Sequence, residues 1–136
     1  MGIITLTTDL GYKDFYQAAL KGSILKTLPK VTIIDISHEI EAFNISKAAF
    51  LLKNSFHYFP KGTVHLIGID TVYSASNKYL ALKYQDHYFV GADNGIFSLI
   101  FEEIVALNFT IPTLSAFKST ETDCAFLSFE KLTTCL

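Results

Sequence analysis

The chain has 136 residues, half of them apolar and 14% aromatic, with a formal net charge of −2. That length suits one domain, which buries roughly two-thirds of its unfolded surface on folding, and the near-balanced charge, without a basic block or stripe, argues against nucleic acid as the main partner. No apolar run approaches the ~20 residues a membrane helix needs, and the start lacks the basic region of a signal peptide, so the expected location is cytoplasmic.

Residues 3–8 are an apolar, β-branched run that predicts a buried strand leading into Thr8-Asp9-Leu10-Gly11. Asp14 is placed to cap a following helix, with Ala18, Ala19, Leu25 and Leu28 among its core-facing candidates and a stop before Pro29. A second strand is expected over 31–36, running on into Ser37-His38. Asn44 is the expected N-cap of a second helix through about Phe56, with Ile45, Ala48, Ala49 and Leu52 inward and a hydrophobic staple between Phe43 and Ala48. Pro60-Lys61-Gly62 turns the chain into a third strand over 63–69, which ends at Asp70. This β-α-β-α-β order implies parallel strands joined by right-handed crossovers. The second half changes character. Residues 78–84 and 87–91 predict two short strands around Gln85-Asp86, Asp93-Asn94-Gly95 a tight turn, 96–101 a short helix and 103–108 an edge strand. After Asn108 the apolar periodicity fades, and a truncated form or one domain of a longer protein is expected.

Three apolar strands each carry or end in an acid, Asp9, Asp35 and Asp70, so one sheet presents carboxylates along one edge. Open α/β sheets bind ligands in the crevice outside the strand ends. Asp9 stands out because a carboxylate can accept hydrogen bonds from both hydroxyls of a cis-diol; its competing role is to hold the turn with Gly11 or cap the next helix. His38, at a strand end, is expected to hydrogen-bond loop backbone, His65 to be packed within a strand, and His57 and His87 to be exposed. Cys124 and Cys135 lack CxxC or Cys/His spacing, so they are read as plain thiols with no metal site. A generic flavodoxin-like nucleotide-binding domain is the weaker alternative, since neither GxGxxG nor GxxxxGK[ST] is present.

Five stretches occur in a telling order: Ile4-Thr5-Leu6-Thr7-Thr8-Asp9-Leu10-Gly11, Asp14-Phe15-Tyr16 with Lys21-Gly22, Ile34-Asp35-Ile36-Ser37-His38-Glu39-Ile40, Phe59-Pro60-Lys61-Gly62-Thr63-Val64-His65 and Gly91-Ala92-Asp93-Asn94-Gly95. Together they resemble the S-adenosylmethionine hydroxide adenosyltransferase family, related to the enzymes that put fluoride or chloride on the same substrate. The resemblance runs from residue 3 to about 101. It implies an α/β domain of three-layer sandwich type, with a mostly parallel central sheet flanked by helices. Residues 1–136 would be the N-terminal domain only, without the family's C-terminal β-barrel domain.

The resemblance also implies a reaction, attack of water or hydroxide on the ribose 5′ carbon of S-adenosylmethionine to release methionine and adenosine. S-adenosylmethionine is then the substrate, no cofactor or metal is needed, and the full-length family assembles as a homotrimer. Asp9 matches the acid that grasps the ribose, and Asp14 a second acid of that loop, though helix capping accounts for it equally well. Phe43 matches an aromatic beside the substrate, and Tyr73 and Ser74 fall where the family lines its nucleophile pocket. Ser119 matches a serine that donates to halide. Asp70 matches the acid of the hydroxide-forming members, where the fluoride-using relatives carry a tyrosine. In the family that acid works with an arginine and a histidine; here Asn77, followed by Lys78, stands in the arginine's place and Lys118 in the histidine's. A lysine offers a point charge where arginine offers a planar fork. Two functions follow from these matches: a hydrolase that forms adenosine, or a truncated or remnant nucleoside-binding domain without competent catalysis. Weak or undetectable turnover is expected of residues 1–136 alone.

Overall fold

A computed structural model describes residues 2–70 and 79–101. In chain order the elements are strand β1 (Ile3–Thr8), helix α1 (Tyr16–Thr27), strand β2 (Thr32–Ser37), helix α2 (Ile45–Ser55), a 3₁₀ turn (Phe56–Tyr58), strands β3 (Val64–Gly68), β4 (Tyr79–Tyr84) and β5 (His87–Ala92), and helix α3 (Ile96–Ile100). They build one five-stranded sheet in the order β2-β1-β3-β5-β4. β1 pairs in parallel with β2 and β3, β3 in parallel with β5, and only β4 runs antiparallel. The α/β fold with a mostly parallel sheet is thus as the sequence predicts. The predicted edge strand over 103–108 lies outside the described residues.

Alternation along β1 decides which side chains meet which layer. Ile4 and Leu6 face α1, joining Ile24, Leu66 and Val90 in one core cluster. The opposite face packs Ile67 and Phe89 against Ala48, Ala49 and Leu52 of α2 and Ile96, Phe97 and Ile100 of α3. Helices on both faces complete three layers. None of the helices among the described residues is long and apolar enough to cross a membrane.

Several local expectations need correction. In α1 the inward stripe is Leu20, Ile24 and Leu28, spaced by four, whereas Ala18 and Leu25 face solvent. Asp14 does not cap α1: the N-cap position is Phe15, and the Asp14 carboxylate accepts only from the adjoining Phe15 N–H, at 3.0 Å. Asn44 does cap α2, accepting from Lys47 N–H at 2.9 Å. The helix ends at Ser55 and tightens into the 3₁₀ turn at Phe56. The staple to Ala48 does not hold Phe43, which is 62% exposed. His87 is buried, not exposed, because it opens β5 facing the rings of Phe56 and His65. Gln85 and Asp86, both with positive φ, close the β4–β5 hairpin as a primed turn requires.

Candidate functional site

The strand order reverses beside β1: the chain moves from β1 outward to β2, then returns to the other flank of β1 for β3. A crevice opens at the carboxyl ends of strands where such a switch occurs. Asp9 directly follows β1 and Asp70 follows β3 by two residues, so both stand at this point. Asp9 N–H donates to the Gly68 carbonyl at 3.3 Å, which keeps the two strand ends together.

The Asp9 carboxylate is held by main chain. Its Oδ2 accepts from Phe43 N–H at 3.3 Å and from Asp70 N–H at 3.2 Å. Both donors have left-handed backbone, Phe43 with φ 64° and Asp70 with φ 50°. Aspartate tolerates that region through its short polar side chain, but an aromatic residue there is a true outlier that costs on the order of 1–3 kcal/mol. Such strain persists only where neighbours over-determine it, and it gathers at functional sites. Among the described residues nothing donates to Asp9 Oδ1.

Asp70 is braced from the far side. The Asn94 side-chain amide donates to the Ile69 carbonyl at 3.1 Å, and its oxygen accepts from Ile96 N–H at 3.2 Å. The Asp93-Asn94-Gly95 turn, with Gly95 at φ 90°, thereby ties the start of α3 to the residue before Asp70.

On the β2 side, a bulge between Leu6 and Thr7 shifts the β1–β2 register at the carboxyl end, which re-aims the residues that follow. His38 is fully buried there. Its Nδ1 lies 2.6 Å from Thr8 Oγ1, its Nε2 3.2 Å from Asp35 Oδ1, and its carbonyl accepts from Gly11 N–H at 2.7 Å. Lys21 pairs with the other Asp35 oxygen, Oδ2, at 2.5 Å. Burial works to raise the Asp35 carboxyl, but the hydrogen bonds and charges of Lys21 and His38 outweigh it and hold the pKa below the ordinary value. Tyr12, from the same loop as Gly11, sets its ring edge-on to His38 with centroids 5.3 Å apart.

Three of the residues singled out from sequence, Asp9, Phe43 and Asp70, therefore meet through Asp9 Oδ2. Asp14 is exposed and stands apart from that cluster. Tyr73, Ser74, Asn77, Lys78, Lys118 and Ser119 lie outside the described residues, as do Cys124 and Cys135. No group of three or more metal-ligating side chains occurs among the described residues. The sequence alone predicts loop-backbone bonding for His38 and a turn position for Asn94, and the structure gives both side chains further partners. The signal for the first was Asp35 three residues before His38 at the end of an apolar strand, a spacing that lets the two side chains meet once the strand has ended.

Comparison with known proteins agrees with this architecture. The model of the SAM hydroxide adenosyltransferase N-terminal domain matches residues 4–124. An (R)-S-adenosyl-L-methionine hydrolase of Methanocaldococcus jannaschii is 41% identical over 109 residues, 76% of this chain and 41% of that protein. A fluorinase of an Actinoplanes species is 36% identical over 62 residues, 46% of this chain and 21% of the fluorinase. The crystal structure of an uncharacterized conserved protein from Thermotoga maritima superposes with a TM-score of 0.68 at 39% identity, covering 74% of this chain and 38% of that one. The chain spans well under half the length of these relatives. With a match to the family's N-terminal domain over residues 4–124, the chain belongs to the SAM hydroxide adenosyltransferase family.

Proposed function

We propose that residues 1–136 carry the ribose-holding part of an enzyme that hydrolyses S-adenosylmethionine to adenosine and L-methionine. The observation that supports this most directly is the Asp9 carboxylate at the switch point, anchored through Oδ2 by two main-chain N–H groups and with no donor to Oδ1 among the described residues. An anchored carboxylate of this kind can take a ribose hydroxyl without reorganising. The substrate class comes from the relatives, named as S-adenosylmethionine hydrolases and fluorinases.

Displacement at a ribose carbon requires the sulfonium to leave in line, the nucleophile to be stripped of bulk water, and a polar group to position it. Asp9 meets the first need by fixing the sugar. Asp70, whose N–H is tied to Asp9, is assigned to the water or hydroxide, with Asn77 and Lys118 as its partners. Phe43, Asp14, Tyr73 and Ser119 complete the proposed substrate contacts, with Ser74 beside Tyr73. No metal or redox cofactor enters this chemistry. In the full-length protein a second domain would close the adenine and methionine ends of the pocket, the assembly would be a homotrimer, and its location the cytoplasm.

Asn77 and Lys118 favour a second reading, a nucleoside-binding domain without competent turnover, because neither reproduces the planar fork or the imidazole of the family pattern. Calorimetric titration of the 136-residue chain with adenosine, followed by chromatography after incubation with S-adenosylmethionine, tests both. Adenosine binding with adenosine release supports the hydrolase. Binding without release, both from the chain alone and from the chain fused to the C-terminal part of a hydrolase relative, selects the second reading, and absence of binding overturns both.

A further inference from the structure

The segment Thr8-Asp9-Leu10-Gly11 is gripped on both sides of Asp9 by one residue, His38. Its ring meets the Thr8 hydroxyl at 2.6 Å, and its carbonyl takes the Gly11 N–H at 2.7 Å. The same Thr8 oxygen accepts from Leu10 N–H at 3.3 Å. Behind the ring, His38 Nε2 and Asp35 Oδ1 lie 3.2 Å apart, within ion-pair distance but out of line for a hydrogen bond, and neither buried atom has a hydrogen-bond partner among the described residues. Lys21 closes the series on Asp35 Oδ2.

We propose that Lys21, Asp35, His38 and Thr8 form a positioning chain that sets where the Asp9 carboxylate stands. With the imidazole proton on Nε2, drawn there by Asp35, Nδ1 becomes the acceptor for the Thr8 hydroxyl. The Thr8 oxygen then keeps a lone pair for Leu10 N–H, and every link has one direction. A buried polar chain costs desolvation that an apolar filling of the same volume avoids, and its Thr8–His38 hydrogen bond and His38–Asp35 ion-pair contact fix the ring between two elements. That geometry is delivered to the main chain on both flanks of Asp9. Asp9 in turn holds Phe43 and Asp70 through Oδ2, so the chain acts on the whole cluster without touching the ligand. The inference rests on the reading of Asp9 as the residue that holds ribose.

Amide hydrogen exchange followed by NMR on the 136-residue chain, together with adenosine titration, tests it. Thr8→Val removes the hydroxyl and keeps the shape; Asp35→Asn removes the charge that orients the ring; Thr8→Ser keeps the link. In the first two, Phe43 and Asp70 N–H, whose acceptor is Asp9, are expected to exchange about tenfold faster or more while Ile4 and Leu6 in β1 keep their wild-type rates. Adenosine should weaken by about tenfold, and Thr8→Ser should restore both readouts to within about twofold, since one hydrogen bond is at stake. Unchanged exchange at Phe43 and Asp70 overturns the proposal, as does acceleration spread equally over β1, which would mean general destabilisation. If Thr8→Val does not fold, Asp35→Asn at its partly exposed position decides the matter. A wild-type chain that fails to bind adenosine overturns the ribose reading, while the exchange data still judge the chain itself.

Discussion

His38 and His65 are both fully buried, yet they sit at opposite ends of the sheet in opposite company. His38, just past the carboxyl end of β2, touches an acid, a hydroxyl and a loop carrying a second acid. His65, near the amino end of β3, bonds Thr5 at 2.7 Å and His87 at 3.2 Å, and its other neighbours are the rings of Phe56, Phe59 and Phe89. No carboxylate pairs with it among the described residues. One histidine is thus wired to the loop that carries Asp9, whose carboxylate holds two residues of positive φ, and the other is a packing element that keeps its hydrogen bonds local. Backbone strain follows the same division. Phe43 and Asp70, with positive φ, belong to the carboxyl end; at the other end positive φ is confined to turns, at Gly62 and the Gln85-Asp86 hairpin. Buried polarity alone does not distinguish the two ends; its tie to an acid and to strained main chain does.

The two ends should respond to acid in different windows. Burial, with repulsion from His87, lowers the His65 pKa from 6.5 to about 4, and burial also lowers that of His87 despite the opposing pull of Asp86. A group whose folded pKa is depressed takes up its proton first in the unfolded chain. The contribution of His65 is therefore complete above pH 6.5 and is lost as pH falls from 6.5 to about 4. Over that interval the loss is about 3 kcal/mol, at 1.36 kcal/mol per unit. Urea unfolding across the window should show the fall, and His65→Gln should remove the larger part of it. A wild-type stability that stays flat down to pH 4 would break the comparison. Asp35 also has a lowered pKa, so its contribution holds above 3.8 and is lost only below that.

At the carboxyl end the largest expected effect is on binding. Asp9→Ala removes the anchored carboxylate, and adenosine affinity should fall roughly 100-fold, the worth of one or two charge-assisted hydrogen bonds. Calorimetry reads it directly, and a loss under about threefold would remove Asp9 from the site. Asn94→Ala comes next. It strips the Ile69 carbonyl and Ile96 N–H of their side-chain partners, so thermal or urea unfolding should show a loss of about 1–2 kcal/mol. Adenosine affinity should drop with it as the turn before Asp70 loosens.

Much of the fold was legible because apolar period and caps agree locally. β1 matches its predicted bounds, Asn44 caps α2 as read, and Ala48, Ala49 and Leu52 face inward. α1 misled because its alanines and leucines lie all round the helix, so period alone could not choose between stripes; the register of Ile24 over Leu6 and Leu66 made the choice. Asp9 was legible as an acid at a strand end. That its carboxylate would be anchored by the main chain of Phe43 and Asp70 was not, because those bonds link residues 34 and 61 positions away. His87 was misplaced for a similar reason: a histidine beside a turn normally faces water, and only pairing of β5 with β3 puts it against His65.

The smallest predicted effect separates strain from packing most cleanly. Phe43 is 62% exposed and holds φ 64°, so replacing it sacrifices little buried surface. Phe43→Gly relieves a left-handed residue that costs about 1–2 kcal/mol, and the added entropy of glycine in the unfolded chain offsets part of that gain. The net expectation is a stabilisation of about 0.5–1 kcal/mol in urea unfolding, with the N–H to Asp9 retained. Adenosine binding should move the other way, weakening about threefold as the exposed aromatic face beside Asp9 is lost. Opposite signs in the two measurements would mean that the strain at this end of the sheet is maintained for a ligand. If stability fell instead, Phe43 would be a packing residue like His65, and the division between the two ends would lose its best-placed support.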